Sequence, residues 1–214
     1  MENLPFFTTE HGTASLILRE IPVSGAGYIL LLGARPGEEQ ALLEDCARVC
    51  RMAGARRLYA RGPGVPAGWP GYCRVWLLEG DRRALPRTLA VPEPLTPERG
   101  EEYRRRMNGA MAGVPCASTM GSRELRELLA RGGGWFVTLE GETVGAGQVR
   151  GPEIELLAAF RPGMGAQVLS ALAGTAECDR LQVRCALENE RAMALYTRLG
   201  FRKVRELEFW QEMP

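Results

Sequence analysis

Two periodicities of apolar and polar positions alternate along the chain and mark out its elements. Residues 15–19 (SLILR) and 28–32 (YILLL) read as strands, separated by the turn-rich Ile21-Pro22-Val23-Ser24-Gly25. Between 38 and 53, Ala41, Leu42, Cys46, Val49 and Met52 recur at helical spacing. Residues 57–60 predict a strand, the Gly/Pro cluster from Gly62 to Gly71 a loop, and residues 73–78 a further strand. Val91-Pro92-Glu93-Pro94-Leu95-Thr96-Pro97 is the expected linker, so residues 1–92 and 93–214 are expected to form two halves.

The second half opens with a charged helix from Thr96 or Pro97 to Met111. Another runs over 122–130, with Ser122 as its expected cap. Residues 135–139 and 144–149 flank Glu140-Gly141-Glu142 as a hairpin. Residues 154–159 predict a strand, 165–173 a helix, 181–185 a strand, 189–199 a helix stopped by Gly200, and 204–210 a closing strand. Strands alternating with helices predict the α/β class with a mixed sheet. A repeat underlies the pattern. Residues 28–37 align with 154–163, Arg35-Pro36-Gly37 on Arg161-Pro162-Gly163, and both copies read strand, turn, helix, strand.

Composition removes several chemistries. The chain has 214 residues and a formal net charge of +1, which argues against a general electrostatic grip on nucleic acid or anionic lipid. His11, the only histidine, lies in a polar turn; one histidine rules out a His-rich metal site, and no metal is expected. Lys203 is the only lysine and lies outside any P-loop pattern. The six cysteines form no C-x-x-C pair, Met1-Glu2-Asn3-Leu4-Pro5 is no signal peptide, and the longest apolar stretch, 26–34, is too short to span a bilayer. A reduced, cytoplasmic protein, monomer or homodimer, is the expectation. Arg104-Arg105-Arg106 alternates with Glu101 and Glu102 as a solvated helix face.

The chemistry concentrates in the last third. Asn189-Glu190-Arg191-Ala192-Met193-Ala194-Leu195-Tyr196-Thr197-Arg198-Leu199-Gly200-Phe201 resembles the N-x-x-A-x-x-L-Y-x-x-x-G-F signature of the GNAT superfamily of acyl-CoA-dependent N-acyltransferases. One strand earlier, Gly163-Met164-Gly165-Ala166 opens a helix whose free amides and positive dipole end suit a phosphate. It resembles the family's pyrophosphate loop, [QR]-x-x-G-x-[GA]. The chain departs from that pattern: Phe160 stands where Arg or Gln is expected, and Arg161 is one residue too close to Gly163, where its guanidinium could contact the phosphates directly.

The resemblance implies a GNAT fold, tandem with a degenerate N-terminal half, and transfer of an acetyl group from acetyl-CoA to a small-molecule or peptide amine in a ternary complex. It implies Tyr196 as the acid that protonates the coenzyme A thiolate. Leu157, Ala158 and Ala159, with Arg161, Gly163, Met164, Gly165, Ala166, Asn189 and Tyr196, would hold the cofactor. Adjacent Leu156 and Leu157 are compatible with a β-bulge that frees amides for the pantetheine arm, or with a strand buried on both faces. Glu155 is the preferred general base, with a solvated edge carboxylate as its alternative reading. The alternative function is a non-catalytic GNAT-fold module that binds acyl-CoA or a protein partner. In the first copy Glu38 and Glu39 replace Met164 and Gly165, so only the second copy is expected to bind coenzyme A.

Overall fold

The computed structural model describes residues 6–214, and the reading of residues 1–5 lies outside it. The chain divides into two compact units. One holds the residues up to Arg74 together with Glu208–Pro214; the other is Val75–Leu207.

In the first unit, β1 (Phe6–Thr9), β2 (Gly12–Ile17) and β3 (Ala26–Ala34) run antiparallel to their neighbours, and β3 pairs in parallel with β4 (Arg57–Arg61). The turn-rich stretch before β3 winds into one helical turn, α1 (Ile21–Ser24), stopped by Gly25 at φ 72. Helix α2 (Glu39–Met52) crosses from β3 to β4. Its stripe of Leu42, Leu43, Cys46, Ala47 and Cys50 buries against Ala14, Leu16, Ile29, Leu31 and Leu58. The end of β11 (Arg202–Glu212) completes this unit, with Gln211 opposite Ala60 and Glu212 opposite Tyr59.

In the second unit the strand order is β5-β10-β9-β8-β7-β6, from β5 (Gly71–Asp81), β6 (Val91–Pro94), β7 (Gly134–Leu139), β8 (Glu142–Arg150), β9 (Glu153–Ala159) and β10 (Arg180–Ala186). Only β9 and β10 pair in parallel here; the other neighbours are antiparallel. Side chains alternate between two cores. Val137, Val144, Ile154 and Val183 meet helices α5 (Gly165–Ala173) and α6 (Glu190–Arg198). Phe136, Ala146 and Ala158 meet α3 (Gly100–Met111) and α4 (Ser122–Arg131). A mixed α/β architecture is therefore present, as the alternating periods predict.

Three expectations need correction. Residues 91–97 are not a free linker. Val91–Pro94 is an edge strand paired with β7, where two prolines cost little because an edge needs only one side of its backbone bonded. The compact units also divide at Arg74, not at 92. Seven residues of β5 pair with β10, from Asp81 opposite Arg180 to Val75 opposite Ala186, so a cut at 92 would strip β10 of a partner. The chain's last strand, in turn, returns residues to the first unit. Finally, α4 is capped by Gly121, whose N–H donates to Glu124 at 3.1 Å, and Ser122 is already helical.

The aligned repeat has the same local form in both copies. Arg35 O accepts from Glu38 N at 2.9 Å and Arg161 O from Met164 N at 3.3 Å, closing turns with Pro second and Gly third. Gly37 has φ 82 and Gly163 φ 84, the left-handed conformation a type II turn needs at its third position. Each turn sends the chain from a strand into a helix and back to a parallel strand.

Candidate functional site

Strands β9 and β10 pair over only two positions, Glu153 with Gln182 and Ile154 with Val183, and then part. Beyond Ile154, β9 is bonded on one side only, to β8. Its five residues 155–159 thus present about 16 Å of strand edge with no ladder partner on the β10 side. At the far end of that edge Phe160 N donates to Val144 O at 2.8 Å, and the Arg161–Met164 turn delivers the chain to α5.

The bulge lies elsewhere than Leu156 and Leu157. The register of β8 on β9 shifts at Gln148/Val149, which pair with Leu156 and Ile154 and leave Glu155 as the extra residue. Leu156 and Leu157 alternate normally: Leu156 packs with the α3/α4 core and Leu157 with the α5/α6 core. Their adjacency reflects a strand buried on both faces. The bulge puts Glu155 on the α3/α4 side together with Leu156, at the vertex where β9 and β10 separate.

Tyr196 lies on α6 within the α5/α6 core, packed at 5.6 Å from the Phe201 ring. Burial pushes its phenol well above the ordinary tyrosine pKa, and the Cys185 thiol adds to the rise. Cys185 is two residues past Val183, the last residue of β10 paired to β9. Tyr196 therefore belongs to the vertex region and keeps its proton at neutral pH. Asn189 is the N-cap of α6, its Oδ1 accepting from Ala192 N at 3.2 Å; its side chain orders the helix that carries Tyr196.

At the opposite end, the first α5 turn is free of acidic residues. Val168 N makes the helix's first bond, to Met164 O at 2.9 Å, leaving the amides of Gly165, Ala166 and Gln167 ahead of it. Gly163 has open space where a Cβ would project, whereas a Cβ on Gly165 would lie 2.8 Å from Leu195 Cδ2. A side chain at Gly165 would therefore displace the Leu195 methyl, a packing contact between α5 and α6 that its place in a glycine turn did not reveal. Met164, Leu157 and Ala159 border the same core, and Ala158 faces the other one.

Two residues are differently engaged. Arg161 is ion-paired with Glu142 on β8 and exposed. The Phe160 ring packs with the α3/α4 core, the Arg106 guanidinium 5.2 Å from its centroid. Arg106, expected in a purely solvated face, is thus bound both to Glu102 at 3.2 Å and to this ring.

Glu155 is the largest departure. Its Oε2 accepts from Arg131 at 2.8 Å and its Oε1 meets Arg150 at 2.7 Å. Each oxygen is thus engaged by one guanidinium group and keeps one further lone pair. The carboxylate is held as a partner of two cations, not as the solvated edge group of its alternative reading. Arg131 also donates to Gln148 Oε1 at 3.2 Å, and beside it the fully buried Tyr103 donates to Gly147 O at 2.8 Å. Burial raises the Tyr103 phenol above its usual range, the Gln148 hydrogen bond and Arg131 opposing the rise.

Sequence reasoning passed over Trp76. It lies on β5 opposite Cys185 and packs on the α5/α6 core, with its indole Nε1–H buried and without a hydrogen-bond partner. A buried donor left unpaired costs on the order of 1–3 kcal/mol unless something satisfies it. Its only sequence signal was an aromatic residue in a strand assigned to the other half. No group of metal-ligating side chains suited to an ion occurs among the described residues, and no described helix is long and apolar enough to cross a membrane.

No family model and no curated protein matches the chain. Solved structures match it in fold. A GCN5-related N-acetyltransferase from Kribbella flavida is 17% identical, over 97% of this chain and 88% of that one, with a TM-score of 0.60. A GCN5-related N-acetyltransferase from Sphaerobacter thermophilus matches over 94% and 76% at 12% identity, TM-score 0.60. A functionally unknown conserved protein from Staphylococcus epidermidis matches over 99% and 94% at 10% identity, TM-score 0.59.

Proposed function

Proceeding from its fold, which is that of the GNAT superfamily of N-acyltransferases, we propose that this chain transfers an acetyl group from acetyl-CoA to a small-molecule or peptide amine, acting in the cytoplasm as a monomer or homodimer. The observation that carries the reading is the early parting of β9 from β10. It leaves an unpaired strand edge that leads to a helix N-terminus, with Tyr196 on the neighbouring α6 in the same core.

The residues fit an acyl-CoA in three respects. The α5 amides and the open Gly163 position suit a pyrophosphate. The edge of residues 155–159 offers backbone partners over a length comparable to an extended pantetheine arm. The orphaned Trp76 N–H lies one strand from the opening, where a carbonyl of the arm or thioester would satisfy it.

In this reading α5 and β9 bind and orient the cofactor so that its thioester lies at the vertex. The acceptor nitrogen attacks the thioester carbonyl, the C–S bond breaks, and Tyr196 gives its proton to the departing thiolate. The phenol is protonated at neutral pH, and its burial, which raises the pKa, must be offset as the thiolate charge develops beside it. Glu155, clamped by two arginines, is not assigned the base. The amine proton leaves to water, helped by the nearby guanidinium charges, which disfavour an ammonium. The first unit is a degenerate copy with no cofactor role.

A specific observation favours a second reading. Phe160 and Arg161 are engaged with Arg106 and Glu142, so a non-catalytic acyl-CoA-binding or protein-interaction module has weaker demands to meet. Thiol release from acetyl-CoA with a panel of primary amines separates the two. Amine-dependent release supports the transferase; coenzyme A binding without release from any amine supports the module.

A further inference from the structure

The acceptor end of the site carries more cationic than anionic side chains. Two arginines, from α4 and from the end of β8, converge on the single carboxylate of Glu155 at the β9 bulge. Arg131 spends one nitrogen, Nη2, on both Glu155 and Gln148. Arg150 likewise spends only Nη2, and its side chain is 66% exposed. Among the described residues, the Nε and Nη1 donors of both arginines have no partner. The neighbouring pair is different: Glu153 takes Arg184 with both oxygens, at 2.6 and 3.2 Å, and neutralises it. One positive charge therefore remains at the vertex, on the α3/α4 side, with one two-donor edge on Arg150 and single N–H donors on Arg131.

The groups behind the forks hold them in place. Gln148 is buried and bound to Arg131, Tyr103 is buried against Gly147, and the bulge fixes Glu155 between the two guanidiniums. A guanidinium fork matches the two oxygens of a carboxylate and discriminates against a bare alkylammonium.

We infer that the acceptor is an amine that also bears a carboxylate, as an amino acid does, with its carboxylate docked on the free edge of Arg150 and a remaining N–H of Arg131, and its amine at the vertex. This deepens the transferase reading and rests on it. It also accounts for the clamp on Glu155, which prevents two guanidinium groups from facing each other unneutralised when the site is empty.

The test uses the full chain, acetyl-CoA and paired acceptors that differ by the carboxylate alone: 4-aminobutyrate against propylamine, and glycine against methylamine. Coenzyme A binding is measured in parallel by calorimetry. The expected result is a kcat/KM at least tenfold higher for the carboxylated member. That preference should fall toward unity in Arg150→Gln, mainly through KM, and be retained in Arg150→Lys to a lesser degree. Arg150 is exposed, so its replacement leaves the fold intact; Arg131→Lys provides the second variant.

Equal use of both members, a preference for the bare amine or for a polyamine, or a preference that survives Arg150→Gln and Arg131→Lys would overturn the inference. So would coenzyme A binding with turnover of none of the carboxylated amines. Failure to bind coenzyme A at all would instead overturn the transferase reading beneath it.

Discussion

The two Arg-Pro-Gly turns show how one backbone device can be left open or closed. Both turns place glycine at a positive φ of nearly the same value, and both feed a helix between parallel strands. After Gly37, however, the helix is capped by Glu38, and Glu39 occupies its first turn. Glu38 is itself held by His11, whose Nδ1–H donates to the carboxylate; Asp45 and Glu10 lie 3.8 and 3.9 Å from the other ring nitrogen. After Gly163 come Met164, Gly165 and Ala166, with no acidic group in the first turn. The first helix satisfies its dipole from within the chain, and the second leaves it for a ligand. The two copies thus share a turn and differ in the charge of the three residues after it, which is where the proposed reading places the difference in binding.

The largest effect should come from the end of the site that the first copy lacks altogether. Tyr196→Phe is expected to lower kcat about 10²–10⁴-fold, the usual range for a general acid, while coenzyme A affinity stays within a factor of two or so. Steady-state rates paired with calorimetry check this; unchanged turnover removes Tyr196 from the chemistry. Next in size, Ala166→Glu should weaken coenzyme A binding by more than about tenfold by giving the second helix the charge that Glu39 gives the first. Gly165 is the wrong position for this test, because any side chain there meets Leu195. If Ala166→Glu binds coenzyme A as tightly as the parent, the phosphates lie elsewhere.

Most of the fold was legible, and the failures have physical causes. The helix over 165–173 and the hairpin around Glu140-Gly141-Glu142 followed from periodicity and turn residues, because both are local. The edge strand Val91–Pro94 was hidden by its prolines, which an edge tolerates and a central strand does not. Strand β1 was missed because Phe6–Thr9 is too short for a period to register. The unit boundary at Arg74 depends on pairing between residues about a hundred positions apart, and no local pattern records that. Of the candidate site, Tyr196 and the glycine turn were readable as a motif. The Glu155 clamp was not, since Arg131 comes from another helix and Arg150 from another strand.

Alkaline pH should separate the two units. Burial pushes Cys50 up to about 11 and Cys46 up to about 12, from an ordinary 9.0, and both lie in the first unit. The folded thiols stay neutral while the unfolded ones ionise, so the unfolded state binds fewer protons and stability falls as pH rises above about 9. Tyr103 and Tyr196 in the second unit act in the same sense, but only from about pH 10, where unfolded tyrosine begins to ionise. A Cys46→Ala, Cys50→Ala chain should therefore lose less Tm than the parent between pH 9 and 10. An identical slope would show that the thiols are not linked to folding.

The smallest effects form a matched pair. Gly37→Ala and Gly163→Ala meet no atom within 4 Å, so each should cost only the left-handed strain, about 1–2 kcal/mol, measurable by denaturant unfolding. The costs should be equal, but only Gly163→Ala should also alter coenzyme A binding. A change at Gly37 that weakened binding as much would contradict the distinction between a closed and an open turn.

That distinction is tested most directly by titrating coenzyme A into the full chain by calorimetry. One coenzyme A per chain, weakened more than about tenfold by Ala166→Glu and unaffected by Glu39→Gln, is the predicted result. Two per chain, or one that persists in Ala166→Glu and is lost in Glu39→Gln, would contradict it.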